Sequence, residues 1–275
     1  MSIPEKRLRF LTPKDPNPAL PLFIYLPGMD GAGTLLEIQL KRLTTAFDVR
    51  CLSIPPDDLT DWPGLVEQTA TLIRTEQKLT PNRPIYLCGE SFGGCLALNL
   101  AIQNPKLTNR MILVNPASSF SQQAIMHWGA SITQWLPTSL YQLSAVGLLP
   151  FLIAPERVAP PVRMALLSAM QSVEPSSAAW RISLLGQFGL SGLPLQQITQ
   201  PVLVIASGAD RILPSIAEAE RLVRSLPHAR KLVLPQSGHA CLLETTVNLG
   251  EILRSQGFFE GQTNTQNFPA ESVKS

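Results

Sequence analysis

Short apolar runs recur along the chain, and most end in a turn rich in glycine or proline. Residues 22–26 precede Pro27-Gly28, residues 85–88 precede Gly89, residues 111–114 precede Asn115-Pro116, and residues 202–206 precede Ser207-Gly208; two further runs lie at 49–54 and 231–234. Apolar runs of this length, broken only by Arg50, Ser53 and Lys231, predict strands buried on both faces. Between them apolar positions repeat at helical spacing: Leu36, Leu40, Leu43 and Phe47; Leu65, Thr69, Leu72 and Ile73; the run 95–101; and Ile216, Ala219, Val223 and Leu226. Thr34-Leu35-Leu36-Glu37 has the form of a capping box for the first helix, and Asp61-Trp62-Pro63 opens the second. A last helix is expected to begin near His239 and to carry Leu243, Val247 and Ile252, and an edge strand is expected at 8–11. Strands alternating with such helices predict right-handed β-α-β units. The fold class is α/β: a mostly parallel central sheet, helices on both faces, and ligands outside the carboxyl ends of the strands.

The alternation stops at Asn115-Pro116-Ala117 and resumes at Pro201. Between 118 and 197 the pattern is helical and strongly apolar, with Glu156, Arg157, Arg163, Glu174 and Arg181 its charged residues and Trp128, Trp135 and Trp180 within it. An insertion at this point reads as a helical lid over the strand ends. The chain therefore divides into a first core part (1–117), the lid (118–197), a second core part (198–257) and a polar, aperiodic tail (258–275) expected to be disordered.

Composition narrows the partners. With 275 residues and 45% hydrophobic content the chain can bury a substantial core, and a formal charge of +2 leaves no basic footprint for nucleic acid. The N-terminal residues lack an apolar signal core, and the longest apolar run, 145–154, is too short to span a bilayer, so the expectation is a cytoplasmic protein acting on a small molecule. The four cysteines, Cys51, Cys88, Cys95 and Cys241, show no metal-ligand spacing and read as free thiols.

The chemistry centres on Gly89-Glu90-Ser91-Phe92-Gly93, where an apolar strand runs directly into a helix. A serine at the tip of such a turn takes a strained backbone conformation, and the small residues two positions to either side let strand and helix close on each other. Its hydroxyl is then exposed at the strand end, and the Phe92 N–H can face a developing oxyanion. Glu90 is expected to point away into neighbouring structure. Of the three histidines, His228 precedes its strand and His127 belongs to the lid, whereas His239 follows a strand through Pro235-Gln236-Ser237-Gly238 and shares the edge of the sheet with Ser91. Asp210, in the loop after the strand ending near Ala206, is the candidate to orient that imidazole. Ser91, Asp210, His239 is the chain order of α/β-hydrolases. Met29, after the second strand, is the candidate second oxyanion donor, and Asp30 is a turn residue or a substrate contact.

On these residues the chain resembles the α/β-hydrolase superfamily over roughly residues 20–257. It is most similar to the hydrolase half of the plastid and cyanobacterial esterase/lipase/thioesterase family that includes the phytyl ester synthases. That likeness is carried by Leu26-Pro27-Gly28-Met29-Asp30-Gly31-Ala32-Gly33, by the stretches 47–55 and 84–98, and by Asn115-Pro116-Ala117-Ser118-Ser119-Phe120. The resemblance implies a serine hydrolase of fatty-acyl esters or thioesters that releases the acyl group to water or transfers it to a long-chain alcohol, with no metal or organic cofactor. The second, acyltransferase half of plant members, with its His-x-x-x-x-Asp motif, has no counterpart in this sequence. Trp128, Trp135, Leu148 and Phe151 are expected to line the acyl pocket, and the apolar lid offers a surface for peripheral membrane contact. Two other readings fit the same fold and residues: a C–C bond hydrolase or lyase acting on a small metabolite, and a slow-turnover ligand receptor.

Overall fold

The apolar runs form the strands that the pattern predicts, and their shared edge carries the residues of interest. A computed structural model of the chain describes residues 7–122, 138–190 and 192–259. In chain order the regular elements are β1 (Arg9–Leu11), β2 (Leu22–Leu26), α1 (Glu37–Leu43), β3 (Asp48–Ser53), α2 (Trp62–Leu79), β4 (Ile85–Glu90), α3 (Phe92–Gln103), β5 (Arg110–Val114), α4 (Thr138–Leu152), α5 (Pro160–Ser172), α6 (Pro175–Gln187), β6 (Val202–Ser207), α7 (Ser215–Ser225), β7 (Ala229–Leu234) and α8 (Leu249–Ser255). The seven strands form one sheet in the order β1-β3-β2-β4-β5-β6-β7, antiparallel at β1–β3 and parallel elsewhere.

Both faces of the sheet are covered, which is why its inner strands β2, β5 and β6 are apolar nearly throughout rather than alternating. Ile24, Leu26, Leu87, Leu113 and Val204 face a core shared with α2, α3 and α7, while Phe23, Tyr25, Tyr86, Ile112 and Ile205 face one shared with α1 and α8. All four cysteines are free and buried. The inserted helices α4, α5 and α6 lie between β5 and β6 in sequence, where the alternation breaks. Among the described residues no helix is long and apolar enough to cross a membrane.

Three local expectations are corrected. Helix α1 begins at Glu37 with Leu36 as its cap and no capping side chain; the Glu37 N–H instead bonds the Thr34 carbonyl at 3.1 Å, making a turn of the predicted capping box. The last helix begins at Leu249, where the Asn248 side chain accepts the Glu251 N–H at 3.2 Å, rather than near His239. Backbone donors near His239 are spent on distant partners: Gly238 N–H on Glu244 Oε1 at 2.8 Å and Ala240 N–H on the Leu152 carbonyl at 2.8 Å. A continuous helical ladder there is thereby excluded. Finally, the core extends into the expected tail: Phe258 is 2% exposed and Phe259 stacks on Phe47 with ring centroids 5.4 Å apart. The rest of that tail, 260–275, lies outside the described residues.

Candidate active site

Ser91 sits between β4 and α3 with φ 51° and ψ −112°, a conformation in the positive-φ region that costs a non-glycine residue free energy. Three backbone hydrogen bonds hold it there: Ser91 N–H donates to Val114 O, and Ser91 O accepts from Gly94 and Ala117, each at 3.0 Å. The flanking glycines are required by contact. A Cβ on Gly89 would strike the Gly93 carbonyl, and one on Gly93 would strike the Leu26 carbonyl, so α3 could not approach β2 and β4 as closely with any larger residue.

His239 and Asp210 come to this point from the loops after β7 and β6. His239 Nε2 lies 2.9 Å from Ser91 Oγ, and Nδ1 lies 2.7 Å from Asp210 Oδ2. Asp210 is fixed in turn: Oδ1 accepts the Ile212 and Leu213 N–H groups at 2.8 and 3.0 Å, and Oδ2 also accepts the Ser215 hydroxyl. Burial raises the pKa of its carboxyl, but the hydrogen bond and charge of His239 outweigh that, and the net shift is downward. Burial likewise disfavours the protonated imidazole, yet Asp210, with a contribution from Glu90, raises the pKa of His239 above its ordinary value. His228, whose carbonyl accepts the Val202 N–H, marks the opposite edge of the sheet, and His127 lies outside the described residues.

Residues that pattern alone left without a role support this arrangement. Asn115, with φ 42° at the end of β5, donates from Nδ2 to the His239 carbonyl at 2.6 Å and to Ser207 Oγ at 2.8 Å, and accepts the Ser207 N–H at 2.8 Å. Glu244, 1% exposed, accepts from Gly238 N–H, Ser237 Oγ and Arg157 Nε, tying the histidine loop to the inserted region. Their only signal in sequence was a polar residue at a strand end or within an apolar stretch.

Glu90 does not point away. It lines the same cavity as Ser91 and His239 and accepts the buried Tyr25 hydroxyl. Burial pushes its carboxyl up to about 7, a rise moderated by Tyr25 and His239 and increased by Asp30. The reason lies in strand alternation: Glu90 follows Tyr86 and Cys88 onto the face that carries Tyr25, and beyond the end of β4 that face opens into the cavity. Asp30 also lines the cavity while accepting the Ala32 N–H at 2.9 Å, so it is both a turn residue and a wall of the site.

The cavity, about 310 Å³, is mostly apolar. Leu148, Leu152, Leu166, Met170, Ile182 and Leu185 line it above Ser91 and His239. Helix α4 presents Tyr141, Ser144, Ala145, Leu148 and Leu152 as one stripe at helical spacing. Phe151, expected in the pocket, stands at the margin of that stripe; it is 51% exposed and is not among the lining residues. Trp128 and Trp135 lie outside the described residues. Met29 lines the cavity and Phe92 opens α3 directly after Ser91. Among the described hydrogen bonds neither residue's N–H has an acceptor. The Phe92 ring itself stacks on Trp62, away from the cavity.

Comparison with known proteins identifies the family. A family model described as Hydrolase_4, serine aminopeptidase, S33, matches residues 57–246. The chain belongs to this family. As an α/β-hydrolase of esterase type it is 33% identical to phytyl ester synthase 1, chloroplastic, of Arabidopsis thaliana across 90% of its length, and 31% identical to phytyl ester synthase 2 of the same plant across 87%. It spans 39% and 38% of those proteins, so it matches about two fifths of each. Among solved structures it is similar in fold to an esterase from Exiguobacterium antarcticum, with a TM-score of 0.72 at 16% identity over 90% of this chain and 94% of that one.

Proposed function

We propose that this hydrolase cleaves carboxylic esters or thioesters of long, apolar acyl groups through an acyl-enzyme on Ser91. The observation that carries the reading is the paired contact of His239, to Ser91 Oγ on one nitrogen and to Asp210 on the other, on the wall of an apolar cavity. Because an ionised carboxylate only accepts hydrogen bonds, Asp210 keeps the proton on Nδ1 and leaves Nε2 free to take the serine proton. Ser91 Oγ attacks the acyl carbonyl as its proton passes to Nε2, and the N–H groups of Met29 and Phe92 receive the oxyanion. Collapse of the tetrahedral intermediate breaks the ester bond, and the imidazolium protonates the departing alkoxide or thiolate. Water or an alcohol then attacks the acyl-enzyme, gives its proton to Nε2, and releases acid or new ester with Ser91 restored.

Transfer to a long-chain alcohol is the finer form of this reading, supported by the names of the phytyl ester synthases and by the mostly apolar lining of the cavity. The test is turnover of p-nitrophenyl and CoA esters of graded chain length by the wild-type chain and Ser91→Ala. Turnover and covalent labelling by a fluorophosphonate are expected from the wild type alone. Equal activity of the two proteins would remove Ser91 from the mechanism.

A further inference from the structure

Arg181, on α6 of the inserted region, is the most deeply buried cation of the described residues that faces no ion-pair partner. It is 2% exposed, its Nε finds no acceptor, and its two terminal nitrogens spend themselves on backbone carbonyls. Nη1 donates to Met29 O at 2.6 Å and Nη2 to Pro55 O at 2.9 Å. A buried guanidinium held by neutral carbonyls is expensive, and burial pulls its pKa down, partly offset by the nearby Asp30 and Asp58 carboxylates.

Attachment of α6 to the core does not require that expense. Trp180 Nε1 already donates to the Thr60 carbonyl at 3.0 Å, Trp62 Nε1 to the Leu184 carbonyl at 3.1 Å, and the Glu174 N–H to the Pro56 carbonyl at 3.0 Å. What Arg181 alone reaches is the turn that contains Met29. In that turn the Gly31 N–H bonds the Gly28 carbonyl at 3.1 Å, which fixes the peptide plane that bears the Met29 N–H. The next peptide plane is fixed by Arg181 through the Met29 carbonyl. Gly31, at φ 66°, leaves the space the guanidinium fills: a Cβ there would lie 2.7 Å from Nη1.

We propose that Arg181 is a positioning residue for the oxyanion site: by holding the Met29 carbonyl it locks the peptide plane next to the one that bears the Met29 N–H. With the Gly31–Gly28 bond, both sides of Met29 are then fixed and its N–H stays aimed beside Ser91, which makes the inserted helices part of the oxyanion machinery. The proposal rests on the reading of Ser91 as nucleophile. An N–H aimed in advance at the oxyanion is worth far more than one that must reorient, and loss of a single such donor costs about 100- to 1,000-fold in kcat.

The test compares two inhibitors of equal chain length, octylboronic acid and octan-1-ol. The boronate becomes tetrahedral on Ser91 Oγ and places an oxygen where the oxyanion forms; the alcohol only fills the cavity. For Arg181→Met, boronate affinity is expected to fall by roughly 10- to 100-fold while the Ki for octanol stays within about twofold, and Arg181→Lys, which can reach one carbonyl, falls between. Trp180→Phe removes another bond between α6 and the core and should leave the ratio of the two constants unchanged. If both inhibitors weaken equally, or neither changes, Arg181 is only a staple and the proposal fails. Should Arg181→Met not fold, Arg181→Lys decides by the same ratio. Failure of the underlying nucleophile reading has a different signature, because wild-type protein would then not favour the boronate over the alcohol.

Discussion

A serine hydroxyl becomes a nucleophile only in company, and at residue scale Ser91 has that company within 3 Å. Ser91→Ala should keep the fold and lower kcat by on the order of a thousandfold or more, since serine, histidine and carboxylate act as a unit; steady-state kinetics with a circular dichroism control checks this. In the proposed mechanism the acid limb of activity follows from the protonation of His239. The base form works, so kcat/KM rises as pH passes through the imidazole pKa, which the structure places above its ordinary value. Glu90, pushed up to about 7, titrates close by, among Tyr25, Asp30, Asp210, Cys88 and Cys241, so the limb should be broader than one ionisation. Glu90→Gln removes a negative charge that holds the proton on His239. The limb should then sharpen and move to lower pH, and a pH profile of kcat/KM on both proteins that does not shift would show that Glu90 does not act on His239. Ser91, Asp210 and His239 were legible in sequence because each follows a strand at one edge of the sheet. Glu90 was misread because its neighbour, not its own position on the alternating strand, governed the expectation. Arg181 was visible only as a charge in an apolar stretch, since nothing local says which distant carbonyls it will meet.

At the scale of elements, the strand-turn-helix β4-Ser91-α3 is set by close backbone approach, so small changes there should be large in effect. Gly93→Ala puts a methyl against the Leu26 carbonyl and forces α3 off β2, and a destabilisation of about 1–3 kcal/mol is expected for such overpacking. Loss of activity should accompany it, measured by denaturant unfolding beside kinetics. At the other edge of the sheet Asp48, 4% exposed, opens β3 and pairs with Arg50 at 2.6 Å and Arg83 at 2.7 Å. Its carboxyl pKa is net lowered: burial raises it, and the two guanidinium groups outweigh that. The stability this linkage supplies is present above the unfolded carboxyl pKa and is lost as pH falls through the lower, folded one. Asp48→Ala should cost about 3–5 kcal/mol, because it leaves the Arg83 guanidinium without its carboxylate and Arg50 with Glu76 as its remaining partner. Strands and the capped start of α2 at Asp61 were readable because short-range pattern decides them, as the Asp61 carboxylate bond to the Gly64 N–H shows. The start of α8 was not, because tertiary hydrogen bonds around His239 and Glu244 overrule an apolar spacing that looks helical.

For the whole molecule, order along the chain translates directly into architecture: parallel strands put every β-α loop at one edge, and the insertion after β5 falls over that edge. What sequence could not supply was which side of each inserted helix faces inward, and Leu148 and Phe151 divide on that point. Each methylene taken from water is worth about 0.8 kcal/mol, at most about a fourfold gain in kcat/KM per carbon. Catalytic efficiency should therefore climb with acyl length until the cavity is full, with acetyl esters poor substrates. Leu148→Ala, which enlarges the cavity wall, should weaken that dependence, whereas Phe151→Ala should leave it intact. The same apolar lining bears on the acceptor. In the proposed mechanism the acyl-enzyme lies beneath a mostly apolar vault, a long-chain alcohol partitions into that vault by the forces that admit the acyl chain, and its hydroxyl can deliver its proton to His239 Nε2. With a long-chain acyl donor and saturating phytol, phytyl ester should therefore accumulate at the expense of free acid, read by chromatography of both products. Free acid alone under those conditions would make the protein a plain hydrolase, and a preference for acetyl over long acyl donors would remove the lipid reading altogether.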